Sequence, residues 1–254
     1  MQRKNVLFIS DNKNICRNIL HFIQDHDGNS ELQVHFGTSP FSSKSEFTDF
    51  LGVDIFIYDL RHSRDVQKIL QTYDLVISVH CKQLFPPELV KGIRCINIHP
   101  GYNPINRGWY PQVFAIINDT EVGATIHEID DKIDHGGIIA RKLVEKRADD
   151  TSLSLYDRIV EAEMDLFKNN FSAIIDGSYS TISPENEGRL YLKKDFNNLL
   201  KIDLEAKVTF GEAIDRLRAL SHGSYSNAYF LDPVSGEKIY LSISLKRETV
   251  QDRR

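Results

Sequence analysis

The alternation of short strands with helically spaced apolar residues over positions 5–79 constrains this chain more than any other feature. Residues 5–9 (NVLFI) form an apolar run without polar alternation, the pattern of a strand buried on both faces. Ser10-Asp11-Asn12 ends it, and Ile15, Ile19, Leu20, Phe22 and Ile23 then recur at helical spacing. Residues 32–36, 54–58 and 74–79 read as further strands, with Val66, Ile69 and Leu70 on a helix between the last two. Strand–helix–strand order implies right-handed crossovers and an α/β fold with a mainly parallel, Rossmann-like sheet. Ligands of such sheets bind beyond the carboxyl ends of the strands. Ser10-Asp11-Asn12, the loop His80-Cys81-Lys82-Gln83 and the end of the next strand all fall on that rim.

That next strand, residues 94–98, carries Asn97 and His99 two positions apart, so both side chains face the same side. Pro100-Gly101 then turns the backbone. A helix over 111–117 starts on a proline, where the missing N–H costs least. Strands over 123–129 and 138–144 bracket a loop with Asp134 just before Gly136-Gly137. An amphipathic helix over 153–175 ends at Asp176-Gly177. From Thr181 the composition loosens, and a helix over 210–220 precedes strands over 227–231 and 238–245. The 254 residues thus divide into a main domain, 1–180, and a small C-terminal helix-plus-hairpin unit, 181–254.

The net charge of −5, with no block of Lys or Arg, argues against binding nucleic acid or an anionic membrane surface. Cys16, Cys81 and Cys95 make neither a zinc pattern nor a disulfide framework, which fits a reducing cytoplasm. The opening MQRKNVLFIS has too short an apolar run for a signal peptide, and no stretch reaches the length of a membrane span. A soluble cytoplasmic protein is expected. Asp130 and Asp131 near His127 and His135 invite a metal reading. Their loop placement, without a second cluster, favours a solvated turn, so no metal is expected. His127, on a strand face, reads as a packed or hydrogen-bonded structural residue.

Asn97, His99 and Asp134 supply an amide, a titratable ring and a carboxylate. That is the inventory an acyl-type transfer needs: donors for an oxyanion and groups that handle a proton. The segments INIHPGYNPINRG and GATIHEIDDKIDHGGII resemble the folate-dependent formyltransferases in order and spacing over roughly residues 4–177. Within that superfamily, HPGYNPINRGWYPQVF, the rim loop and RLRALSHGSYSNAYF look most like the nucleotide-sugar N-formyltransferases. The tail is too short for the larger C-terminal barrel of the transfer-RNA enzymes. The Gly-rich first turn usual in the purine-pathway enzymes is replaced by Ser10-Asp11-Asn12.

The resemblance implies formyl transfer from 10-formyltetrahydrofolate to the 4-amino group of a dTDP-linked 4-amino-4,6-dideoxyhexose, a building block of bacterial surface polysaccharide. It implies that the Asn97 N–H and the His99 ring hold the oxyanion, while Asp134 orients His99, favours its protonated form and accepts the amine's proton. It places the folate between loops 80–87 and 130–136, with His80, Lys82, Phe85, Asp130 and Ile133 as contacts. Asn12, Lys82, Tyr102, Asn103, Arg107 and Trp109, with Arg218, Tyr225 and Asn227 from the tail, are the implied contacts of the nucleotide sugar. Trp109 and the tail residues equally suit ordinary packing. A homodimer through the tail hairpin or the long helix is expected. The competing readings are another amine acceptor (a UDP-aminosugar or glycinamide ribonucleotide) and a non-catalytic folate- or dinucleotide-binding module. No Gly-x-Gly-x-x-Gly follows Ile9, which disfavours a dinucleotide site.

Overall fold

A computed structural model describes residues 3–26 and 32–248. Its elements run β1 (Lys4–Ser10), α1 (Lys13–His26), β2 (Leu32–Thr38), α2 (Lys44–Leu51), β3 (Ile55–Ile57), α3 (Ser63–Thr72), β4 (Leu75–Val79), α4 (Pro87–Gly92) and β5 (Arg94–His99). There follow β6 (Arg107–Gly108), α5 (Pro111–Ile117), β7 (Gly123–Glu128), β8 (Ile138–Leu143) and α6 (Ser152–Asp176). The tail contains β9 (Leu190–Tyr191), α7 (Lys193–Leu200), α8 (Phe210–Leu220), β10 (Ala228–Leu231) and β11 (Lys238–Leu241).

Seven strands form one sheet in the order β3-β2-β1-β4-β5-β7-β8. The first five are parallel, and β7 and β8 add antiparallel at one edge. The apolar run of β1 shows why its strand must be central. Val6 and Phe8 pack into the cluster that includes Phe22 of α1 and Phe167 of α6, while Leu7 and Ile9 face Val66 and Ile69 of α3 and Leu89 of α4. Both faces are covered, so a continuous apolar strand is stable there. The long helix α6 starts with a reciprocal Thr151/Ser154 capping box. It stops at Gly177, whose φ of +75° is open to glycine at little strain.

The short helices α2, α4 and α7 and the two-residue strands β6 and β9 were not foreseen from the sequence. Each has too few apolar residues to show a period; α2 buries only Phe47 and Leu51. The strand expected over 238–245 ends at Leu241. The segment after α6 turns back onto the sheet: Ile182 bridges Ile138, and β9 pairs with β6. Phe196, Ala219, Leu220 and Ala228 join the same apolar cluster as Phe8, so packing is continuous from sheet to tail. Among the described residues no helix is long and apolar enough to cross a membrane.

Candidate active site

The antiparallel pairing of β5 with β7 sets Asn97 opposite His127, and His99 opposite Thr125. Directly opposed residues project to the same face, so an amide and two imidazoles share one corner. The His99–His127 ring centroids lie 6.2 Å apart. Gly101 must be a glycine here, because a Cβ would meet Nε2 of the His99 ring at 2.4 Å. The loop from β7 to β8 supplies Asp134, in the left-handed region at φ 46°.

Asp134 is tied down from several sides. Its Oδ1 accepts from Asn97 Nδ2 at 3.1 Å, and its Oδ2 accepts from the Gly108 N–H at 3.0 Å. His99 Nδ1 lies 3.5 Å from Oδ2, and His127 Nε2 lies 3.5 Å from Oδ1. Its backbone carbonyl accepts from Asn103 Nδ2 at 2.9 Å. The Nδ1–H of His127 donates to the Glu128 carbonyl at 2.7 Å, leaving Nε2 to accept from Asn97 Nδ2 at 3.2 Å. Both hydrogens of the Asn97 amide are therefore engaged within the protein. Donating one to a ligand oxygen requires Asp134 or His127 to release it.

The charge state of His99 differs from the expectation of a ring held protonated by its carboxylate neighbour. Burial removes the solvent that an imidazolium needs, outweighs the pull of Asp134, and with repulsion from His127 and His80 brings its pKa down to about 4. The ring is neutral at neutral pH. Burial pushes Asp134 the other way, toward protonation, but His99, His127 and the Gly108 N–H more than offset it and hold the carboxyl below its usual range. Asp134 Oδ2, 3.5 Å from His99 Nδ1, favours the tautomer with its hydrogen on Nδ1, and that tautomer leaves Nε2 as the basic nitrogen. That Nε2 is buried and without a protein partner.

These residues sit in a cleft of about 1450 Å³ at the sheet's carboxyl rim. Clefts for one small molecule span about 300–1,000 Å³, so this one has room for two ligands. Asn12, His80, Lys82, Phe85, Trp109, Asp130, Ile133, Tyr225 and Asn227 line it together with Asn97, His99 and Asp134. Tyr102, Asn103, Arg107 and Arg218, expected against the nucleotide sugar, do not. Arg107 is 5% exposed and donates from Nη1 to the Ile133 carbonyl at 3.1 Å, bracing the Asp134 loop from behind. Asn103 braces the same loop. Tyr102 lies under the Arg141 guanidinium, 4.5 Å from its ring centroid. Arg218 bonds Asp215 at 2.6 Å and the Arg147 and Asp150 carbonyls at 3.2 and 3.1 Å, joining α8 to the loop before α6. A buried guanidinium needs several acceptors, and backbone carbonyls of packed loops supply them.

Tyr156, Glu163, His222 and the Gly108 N–H are site neighbours that the sequence reading did not name, whereas it did name His80 and Asn12. His80, at φ 53°, holds Glu163 through Nε2 at 2.8 and 2.9 Å, with Asn12 Nδ2 and the Tyr156 hydroxyl against Nδ1. Glu163 is fully buried, and burial raises its pKa. It was visible in principle, because Ile159, Glu163 and Phe167 share one face of α6 at four-residue spacing and are all 0% exposed. His222, which lines the cleft from the turn after α8, carried no such signal, and neither did the Gly108 N–H. Asp130 pairs with His135 at 2.6 Å, and Glu187 meets Lys132 at 2.5 Å. Among the described residues no three His, Cys, Asp or Glu side chains stand together as metal ligands.

A mainly parallel sheet with an amide, an imidazole and a carboxylate gathered at its rim has the groups that an acyl-type transfer needs. The formyl transferase family profile matches residues 58–170, and that of the N-formyltransferase dimerization C-terminal domain matches residues 195–247. A Mycobacterium tuberculosis protein named dTDP-4-amino-4,6-dideoxyglucose formyltransferase is 51% identical over 183 residues, covering 72% of this chain and 78% of that protein. The chain belongs to the formyl transferase family. A sugar N-formyltransferase from Shewanella sp. superposes with a TM-score of 0.92 at 39% identity, covering 97% of this chain and 99% of that one. A 4-N formyltransferase from Francisella tularensis does so with a TM-score of 0.89 at 37% identity, covering 96% and 99%.

Proposed function

We propose that this formyltransferase moves a formyl group from 10-formyltetrahydrofolate to the 4-amino group of a dTDP-linked 4-amino-4,6-dideoxyhexose. The observation that carries the reading is the corner itself: Asp134 lies within 3.5 Å of both Asn97 and His99, in a cleft with room for two ligands. The named relatives supply the acceptor class. The residues present fit a folate, since Leu84, Phe85, Pro86, Ile129 and Ile133 contribute apolar lining to the same cleft that His99 lines.

The donor supplies an electrophilic formyl carbon. Neutral His99 accepts the attacking amine's proton at Nε2, the nitrogen that Asp134 leaves basic. The resulting imidazolium lies between the Asp134 carboxylate and the oxygen that gains negative charge, and both stabilise it. The His99 and Asp134 pKa values are both depressed, and Asp134 is the weaker proton acceptor of the two, because its neighbours hold its carboxyl below the ordinary carboxylate range. Asn97, tethered between Asp134 and His127, shifts one N–H to the developing oxyanion, and His99 returns its proton to the folate N10 as the bond from N10 to the formyl carbon breaks and tetrahydrofolate leaves. The tail is a dimerisation unit pairing two copies of the chain. Supporting this are the family match over residues 195–247 and the exposure there of Phe210 (89%) and Val234 (95%).

The test is to incubate the chain with 10-formyltetrahydrofolate and a panel of amines, and to look for the mass gain of one formyl group. The expected product is the N-formyl dTDP-sugar. Transfer only to glycinamide ribonucleotide, or none to any amine, overturns the reading.

A further inference from the structure

A strand turns successive backbone N–H groups to opposite edges, and the short strand β6 uses both of its edges. The N–H groups of Arg107 and Trp109 donate to the carbonyls of Arg189 and Tyr191 at 3.0 and 2.9 Å. The N–H between them, on Gly108, is thereby turned away from β9 and donates to Asp134 Oδ2 at 3.0 Å. The same strand grips the Asp134 loop a second time, through Arg107 Nη1 on the Ile133 carbonyl. Gly108 pairs with Tyr191 at a φ of +91°, where a Cβ would run into the Tyr191 carbonyl, so only glycine lets the two backbones meet.

The stretch 188–191 is itself anchored away from the cleft. Tyr191 is 5% exposed, and its ring stacks on Phe114 of α5 with centroids 3.7 Å apart. Its hydroxyl accepts from Asn118 Nδ2 at 2.8 Å. Gly188, at φ +64°, passes so close to the Pro104 carbonyl that a Cβ would collide with it. None of residues 188–191 lines the cleft, and the chain runs from them straight into α7 and the tail. A carboxylate turns easily about its Cβ–Cγ bond unless both oxygens are engaged. Asn97 holds Oδ1, and the Gly108 N–H holds Oδ2 at 3.5 Å from His99 Nδ1.

The geometry points to residues 188–191 as the positioning element of Asp134: the segment sets the direction of the Gly108 N–H, and that N–H keeps Oδ2 against His99. Gly188 and Tyr191 are positioning residues that act through Gly108 from outside the cleft. The inference rests on the formyl-transfer reading above for its kinetic consequence, and it makes the junction between sheet and tail part of the catalytic geometry.

Formyl transfer and amide exchange test it on the purified full chain, on Gly188→Ala, Tyr191→Leu and Tyr191→Phe, and on the first two combined with Asp134→Ala. Gly188→Ala drives a Cβ into the Pro104 carbonyl, and Tyr191→Leu removes the stack and the hydroxyl. Each is expected to lower kcat about tenfold, the loss of one hydrogen bond to a charged group, with KM for both substrates within about threefold. Tyr191→Phe keeps the ring and retains most of the rate. With Asp134 already replaced, the same substitutions change the residual kcat less than about twofold, because the group they position is gone. Exchange of the Gly108 amide proton, read by NMR, rises about tenfold in Gly188→Ala and Tyr191→Leu, while the β1 amides keep their protection. Unchanged kcat in both variants, an equal loss with and without Asp134 (a merely structural role), or unchanged Gly108 exchange overturns the inference. Tyr191→Leu carries the test if Gly188→Ala does not fold. Should the unmodified chain formylate no amine, the functional reading falls and the exchange measurement alone decides this one.

Discussion

Two carboxylates line the same cleft and are surrounded by donors, yet the donors differ in kind. Asp11, just after β1, accepts from the hydroxyls of Thr38, Ser39 and Ser42 and from the Lys82 N–H. Its partners come from the ends of β2 and β4, and none of them titrates near neutrality. Asp134 accepts from an amide and a backbone N–H and faces two imidazoles. Hydroxyls and backbone donors make a carboxylate a fastener for three loops. Imidazoles suit it to a part in proton movement, because their charge can change during a reaction. Proximity to the cleft does not separate the two aspartates; the chemistry of their neighbours does.

Substitution breaks this contrast most sharply at the Asp134 corner. Asn97→Ala, His99→Ala or Asp134→Ala is expected to lower kcat by about a hundred- to a thousand-fold, while urea unfolding shows the variants still folded. Near-normal turnover in any of the three removes that residue from the mechanism. Asp11→Ala should show the reverse, with stability falling by about 2–3 kcal/mol as buried hydroxyls lose their acceptor. Turnover per folded molecule should fall less than it does for Asp134→Ala; equal loss at the two positions would erase the distinction.

The pH dependence sharpens the comparison further. The folded pKa of His99 is depressed to about 4, below its unfolded value. The unfolded chain therefore binds more protons as pH falls from the ordinary imidazole range toward 4, and the folded state loses stability across that window. Urea unfolding of the unmodified chain and His99→Gln at pH 7 and pH 5 checks this: the unmodified chain should lose more stability at pH 5. The smallest effect is expected at Glu187, 61% exposed in its pairing with Lys132 and His135. Glu187→Gln should change kcat by less than about threefold, since exposed ion pairs contribute little.

Local pattern made the architecture legible. A two-residue period placed Asn97 and His99 on one face of β5, and a 3.6-residue period located α1, α3, α6 and α8 to within a few residues. What local pattern could not reach was direction over long separations. Arg107 and Arg218 look like anion-binding residues in the sequence, but folding supplies them with carbonyls 26 to 71 positions away and turns them inward. The protonation of His99 was misread for the same reason. A carboxylate neighbour can be inferred from a motif, whereas solvent exclusion depends on everything packed around the ring.

The alternation of the main strands and helices and the placing of Asn97 beside His99 were therefore written in the sequence, because both follow from side-chain periodicity. The tertiary structure alone decided which polar groups face the cleft, which serve the scaffold, and how burial sets the charge of His99. Those properties depend on desolvation and hydrogen-bond partners that exist only after distant segments have packed together.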